Sequence, residues 1–171
     1  MHHHSLCPRL RHSDPRSGET SALRLARLAA NLGNGIIQQT PRVKPMIRQN
    51  VSSGSAFEPR YGFSRAVRMG ERILVAGTAP IWPDDFVDAE PKVQAARCLE
   101  IMLGALDEAG GRPDDVVRTR MYITDAAHAD AIGEAHGEVF GEIRPASTMV
   151  VIAGLLDPRW VVEMELEAVL R

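Results

Sequence analysis

Apolar and polar positions fall into regular periods only after about residue 45. Near the C-terminus, Val161 to Val169 alternates strictly, with Val162, Met164, Leu166 and Ala168 on one face and Glu163, Glu165 and Glu167 on the other. That period of two predicts a strand. Same-face neighbours lie about 7 Å apart along a strand, so three ionised carboxylates in a row require water, cations or arginines. A solvated sheet edge meets that need, and so does a pocket in which one glutamate works. Thr148 to Ala153, a compact run rich in β-branched residues, predicts a second strand just upstream. Phe63 to Met69 and Arg72 to Gly77, joined by Gly70-Glu71, read as a β-hairpin whose Ile73-Leu74-Val75-Ala76 run is too uniformly apolar for an exposed edge. Val116 to Ile123 predicts a further strand with Val117, Thr119, Met121 and Ile123 facing one way and Arg118, Arg120 and Tyr122 the other.

Two stretches change to a helical period. In Glu90 to Ala109, Val93, Ala96, Leu99, Met102, Leu103 and Leu106 recur at intervals of three and four, until Gly110-Gly111 and Pro113 stop the helix. A second helix, capped by Thr124 or Asp125, runs to Phe140 with Ala131, Ile132, Ala135 and Val139 as its packed side. Gly133 and Gly137 each weaken it by roughly 1 kcal/mol relative to alanine, which implies a close approach to its backbone. Asn50 to Gly62, rich in Ser and Gly, reads as a polar connection. The order strand, strand, helix, strand, helix, strand, strand predicts an α+β fold, a mixed sheet with both helices on one face. The other face carries Arg118, Arg120, Tyr122, the glutamate row and apolar hairpin positions, so it predicts oligomerisation with polar clefts between subunits.

Length and composition, 171 residues with 44% hydrophobic and 25% charged, fit one globular domain, residues 46–171, with an N-terminal extension over residues 1–45. The extension fits an affinity-tag remnant (His2 to His4), a transit-like segment, or a reading frame begun upstream of a natural start at Met46, and the last is favoured. On any of the three it carries no chemistry. No apolar run approaches the roughly 18 residues that span a bilayer, so no membrane partner is expected. Cys98, beside Leu99 and Met102, reads as a buried free thiol of a reducing, cytoplasmic compartment. Residues 1–45 hold 7 basic and 2 acidic side chains, which leaves 13 basic and 20 acidic for the rest. An acidic body disfavours nucleic acid as a partner. His128 and His136, eight residues apart on the second helix, lack the spacing and third ligand of a metal site, and His136 reads mainly as a packing or interface residue. Ser147 has neither an adjacent histidine nor nucleophile-elbow glycines.

Five blocks carry a family likeness. Phe63-Ser-Arg-Ala-Val, Ile73-Leu-Val-Ala-Gly-Thr-Ala-Pro, Asp115-Val-Val-Arg-Thr-Arg-Met-Tyr-Ile-Thr-Asp, Phe140-Gly-Glu-Ile-Arg-Pro-Ala and Val162-Glu-Met-Glu-Leu-Glu-Ala-Val resemble, in order and spacing, the YjgF/RidA (Rid) family, often labelled L-PSP endoribonucleases. The resemblance implies a chorismate-mutase-like fold, a homotrimer with clefts at its three interfaces, and hydrolysis of reactive enamines and imines without metal or cofactor. It also implies site positions. Phe63 falls where an aromatic residue lines the cleft, and Glu165 where the family's glutamate orients the attacking water. The family's carboxylate-gripping arginine falls at Ser147, its hairpin serine at Ala76 and its helix asparagine near Gly133. A serine hydroxyl cannot replace a guanidinium, which argues against the typical 2-aminoacrylate deaminase activity and leaves Arg120 and Arg144 as alternative cations for a small anionic or nitrogenous metabolite. The competing expectation is that Arg118 and Arg120 only pair across strands with the glutamates, and that Arg144 bonds to loop carbonyls.

Overall fold

The computed structural model describes residues 46–171, and the expected extension over residues 1–45 lies outside the described residues. The chain runs β1 (Arg48–Val51), α1 (Phe57–Tyr61), β2 (Ala66–Met69), β3 (Arg72–Thr78), α2 (Pro91–Glu108), β4 (Val116–Ile123), α3 (Ala129–Phe140), β5 (Ala146–Val151) and β6 (Val162–Val169). One six-stranded sheet results, in the order β1-β2-β3-β6-β4-β5, antiparallel except for the parallel pair β4 and β5. That parallel pair requires a crossover, which α3 provides. The expected α+β class is the one observed.

The alternating glutamate strand is not a sheet edge. β6 lies in the centre, paired with β3 on one side and β4 on the other. Its Val162, Met164, Leu166 and Ala168 are buried against the helix layer with Ile73, Leu99, Met102 and Leu106. The opposite face stays uncovered, as the pattern predicted, with Arg118 opposite Glu167, Arg120 opposite Glu165 and Tyr122 opposite Glu163.

Four local expectations need correction. Asn50 to Gly62 is not a plain connection: β1 ends at Val51 and α1 forms from Phe57, both too short to show a period. On β4, Val116 pairs with Ala168 and Arg118 with Glu167, so Val117 is an extra residue. This bulge turns Val117 outward, 46% exposed, and gives its expected core place to Val116. The buried side of α2 is Ala95, Cys98, Leu99, Met102, Ala105 and Leu106, with Val93 outside it. Gln94 belongs to that buried side, although its polarity hid it from the pattern. Its amide donates to the carbonyls of Asp88 (2.7 Å) and Arg159 (2.9 Å) and accepts from the Val161 N–H (2.8 Å), so the loop entering α2 and the loop entering β6 share one side chain. Finally, a Cβ on Gly133 or Gly137 would meet nothing within 4 Å, so no close approach within the described chain explains those two glycines.

The helix ends follow the sequence signals. Gly110, at φ +84°, and Gly111 close α2 by donating to the carbonyls of Asp107 (2.8 Å) and Leu106 (2.9 Å). Asp125 accepts from the Ala127 N–H at 2.8 Å, capping the short turn Ala126–His128 that leads into α3.

Candidate active site

The uncovered face of β3, β6 and β4 forms one wall of a groove of ≈ 830 Å³, and the segment from β1 through α1 forms the other. Asn50, Phe63, Ala76, Arg120, Glu165 and Glu167 all line it. Phe63 is placed by Glu58. The Glu58 carboxylate, buried under α1, accepts from the Ser53 N–H (2.8 Å) and from the Ser53 and Ser52 hydroxyls (2.6 and 2.5 Å). Those hydrogen bonds hold its pKa below the usual carboxylate range. At the far end of α1, Gly62 in the left-handed conformation and the Phe63 N–H both return to the Glu58 carbonyl (2.9 and 3.2 Å). The chain therefore turns at Gly62 and delivers the Phe63 ring, 39% exposed, to the groove.

Sheet register places the charges. Arg120 is directly across from Glu165 and one diagonal step from Glu167, and its guanidinium bonds to both, with 3.2 Å to Glu167. The Glu165 carboxylate holds the Arg120 pKa above its ordinary value. Burial and the same carboxylate raise the Tyr122 phenol. Glu163 is half-buried over Gly77, and burial raises its pKa while Arg65 opposes the rise. Arg65 lies beneath the hairpin and donates to the Gly77 carbonyl (3.0 Å) and the Thr78 hydroxyl (2.6 Å). Arg72 adds a second cation to Glu167 at 3.3 Å.

Of the residues selected from sequence, Phe63, Arg120 and Glu165 meet in this groove; Arg144 and Ser147 do not line it. Arg144 sits at φ +54° in the turn between α3 and β5, where its Nε donates to the Gly141 carbonyl at 3.0 Å. Ser147 is exposed on β5, level with Thr119 of β4. Glu58 was missed because it lies outside every periodic stretch, and Arg65 because the strand pattern over 63–69 does not show that its side chain reaches the Gly77 carbonyl and the Thr78 hydroxyl. The Ser52-Ser53 pair five and six residues before Glu58 was the available signal for it. Among the described residues no group of three or more His, Cys, Asp or Glu side chains is arranged to hold a metal ion. Nor is any described helix long and apolar enough to cross a membrane.

Comparison with known proteins agrees with this architecture. Residues 53–170 match the family model described as Endoribonuclease L-PSP. An uncharacterised protein of Streptomyces coelicolor is 36% identical over 70% of this chain and 90% of its own length. A RutC family protein of Pyrococcus abyssi is 32% identical over 72% of this chain and 97% of its own. The crystal structure of a YjgF/YER057c/UK114 family member from Mycobacterium tuberculosis, 40% identical, superposes with a TM-score of 0.67 over 72% of this chain and all of that one. With the motif order, the sheet and these matches in agreement, the chain belongs to the Endoribonuclease L-PSP family, that is, the YjgF/RidA family.

Proposed function

We propose that the protein is an atypical Rid-type hydrolase, acting on a small imine, enamine or related nitrogenous metabolite in clefts between the subunits of a homotrimer. The observation that carries this reading is the Arg120–Glu165 pair set beside Phe63 in the groove. A carboxylate works as a general base when it is ionised, fixed and within reach of water. Arg120 holds Glu165 through Oε1, which leaves Oε2 to orient a water molecule. That water attacks the C=N carbon as Glu165 takes its proton. The resulting carbinolamine collapses to a carbonyl as ammonia leaves with the C–N electron pair and the returned proton. A guanidinium has five N–H donors, and Glu165 and Glu167 engage two of its nitrogens, so Arg120 keeps donors for a substrate anion. The uncovered sheet face and the exposed Val117, Val150 and Val151 along the β4–β5 side support assembly with further copies.

The experiment is ammonia release by the purified protein from a panel of imines generated in situ. At least one substrate is expected to be hydrolysed faster than in buffer, and Glu165→Gln is expected to slow it by about a hundredfold. An undiminished rate in that variant sinks the mechanism. One observation favours a second reading, a trimer that binds a metabolite without turning it over: both carboxylates already occupy Arg120. A thermal shift with ketoacids, without ammonia release from any imine, distinguishes it. Cleavage of RNA is not part of either reading, because residues 46–171 carry 20 acidic against 13 basic side chains, a poor surface for a phosphate backbone.

A further inference from the structure

Outside the groove, one chain of polar side chains runs from the helix layer to the surface. On β4, Thr119 is 2% exposed and points at α3, where its hydroxyl lies 2.9 Å from Nε2 of His136. Across the parallel pair Thr119 is level with Ser147, and the two hydroxyl oxygens are 3.0 Å apart. His136 is half-buried, its ring packed 4.8 Å from that of Phe140. Ser147 is exposed, on the outermost strand of the sheet. A buried threonine needs one hydrogen-bond partner. This one has two, and they link a titratable imidazole to a hydroxyl in contact with solvent.

We propose that Ser147, Thr119 and His136 form a proton relay that makes Ser147 a nucleophile toward small, uncharged acyl carbonyls such as activated esters. With Nε2 of His136 unprotonated, the single Thr119 hydroxyl hydrogen, which donates to Ser147 in the structure, rotates to donate to the imidazole, and Thr119 then accepts from Ser147. As the Ser147 oxygen bonds to the acyl carbon, its proton passes to Thr119 and the Thr119 proton passes to Nε2. The alcohol portion of the ester leaves with the electron pair of the broken C–O bond, and Ser147 is left acylated. Burial lowers the His136 pKa, so the imidazole is in its proton-accepting form at neutral pH. The spacing of residues along the chain gave no sign of the relay, because Ser147 meets His136 only through a third side chain. Neither Arg120 nor Glu165 takes part, so the relay stands or falls separately from the groove reading.

The test uses p-nitrophenyl acetate on the full chain, following the p-nitrophenolate burst and locating the acetyl group by peptide mass spectrometry. Acetylation of Ser147 is expected, slowed about a hundredfold in Thr119→Val and restored in Thr119→Ser, which returns the hydroxyl without the methyl. His136→Asn serves as the second interruption should Thr119→Val fold poorly, and it too is expected to slow the burst. The wild-type rate should fall on acidification through an inflection below the ordinary histidine value of about 6.5. No acetyl group on Ser147, or acetylation there at an unchanged rate in the folded interrupted variants, overturns the relay.

Discussion

Glu163, Glu165 and Glu167 share one face of one strand and occupy three different environments. Glu167 is met by Arg72 and Arg120, Glu165 by Arg120, and Glu163 lies half-buried over Gly77 with only the field of Arg65 to offset desolvation. That Glu165 shared a face with basic side chains was legible from simple alternation. Which glutamate would be paired was not, because it depends on the register of β6 against β4. The difference has a measurable sign. Because the folded-state pKa of Glu163 is raised, folding gains nothing from its ionisation, and stability falls as pH rises from the ordinary carboxylate value to the raised one. Glu163→Gln is therefore expected to raise the urea midpoint at pH 7 and to leave it unchanged below about pH 4, where the wild-type carboxyl is protonated in both states. A midpoint gain of equal size at both pH values would show that its charge is not the cause.

Long elements were legible because their periods repeat. α2, α3, β4 and β6 all appear where apolar spacing placed them, within a few residues. Short ones were not: β1 has four residues and α1 five, no more than two periods of the pattern that would reveal them. The bulge at Val117 also escaped, since an extra residue becomes visible only against a partner strand. Glycines separate the two scales well. At Gly111 a Cβ would press into Leu106 and Ile73 of the core, whereas at Gly133 it would meet open space. Gly111→Ala should cost about 1–3 kcal/mol through overpacking, while Gly133→Ala should stabilise α3 by about 1 kcal/mol. Equilibrium urea unfolding of the two variants checks the opposite signs, and a destabilised Gly133→Ala would mean that another copy packs on that helix.

At the scale of the whole molecule, six strands with the two long helices on one side leave a charged, partly apolar sheet face uncovered, with Phe63, Leu74 and Val150 all more than a third exposed. That imbalance was readable from the helix count alone. What the chain meets there was not, because a partner's contribution is written in no single chain's periodicity. Sedimentation equilibrium is expected to give three times the chain mass of 18.7 kDa, and a mass of one chain across the micromolar range would remove the proposed clefts. Whether chemistry takes place at Arg120 and Glu165 is decided by a crystal soaked with the ketone or ketoacid product of the best imine substrate. Product is expected in the groove beside Phe63, with an Arg120 N–H within about 3 Å of its oxygen and its carbonyl carbon facing Glu165. Product bound elsewhere on the protein, with the Arg120–Glu165 pair undisturbed and the groove holding only solvent, would contradict that expectation.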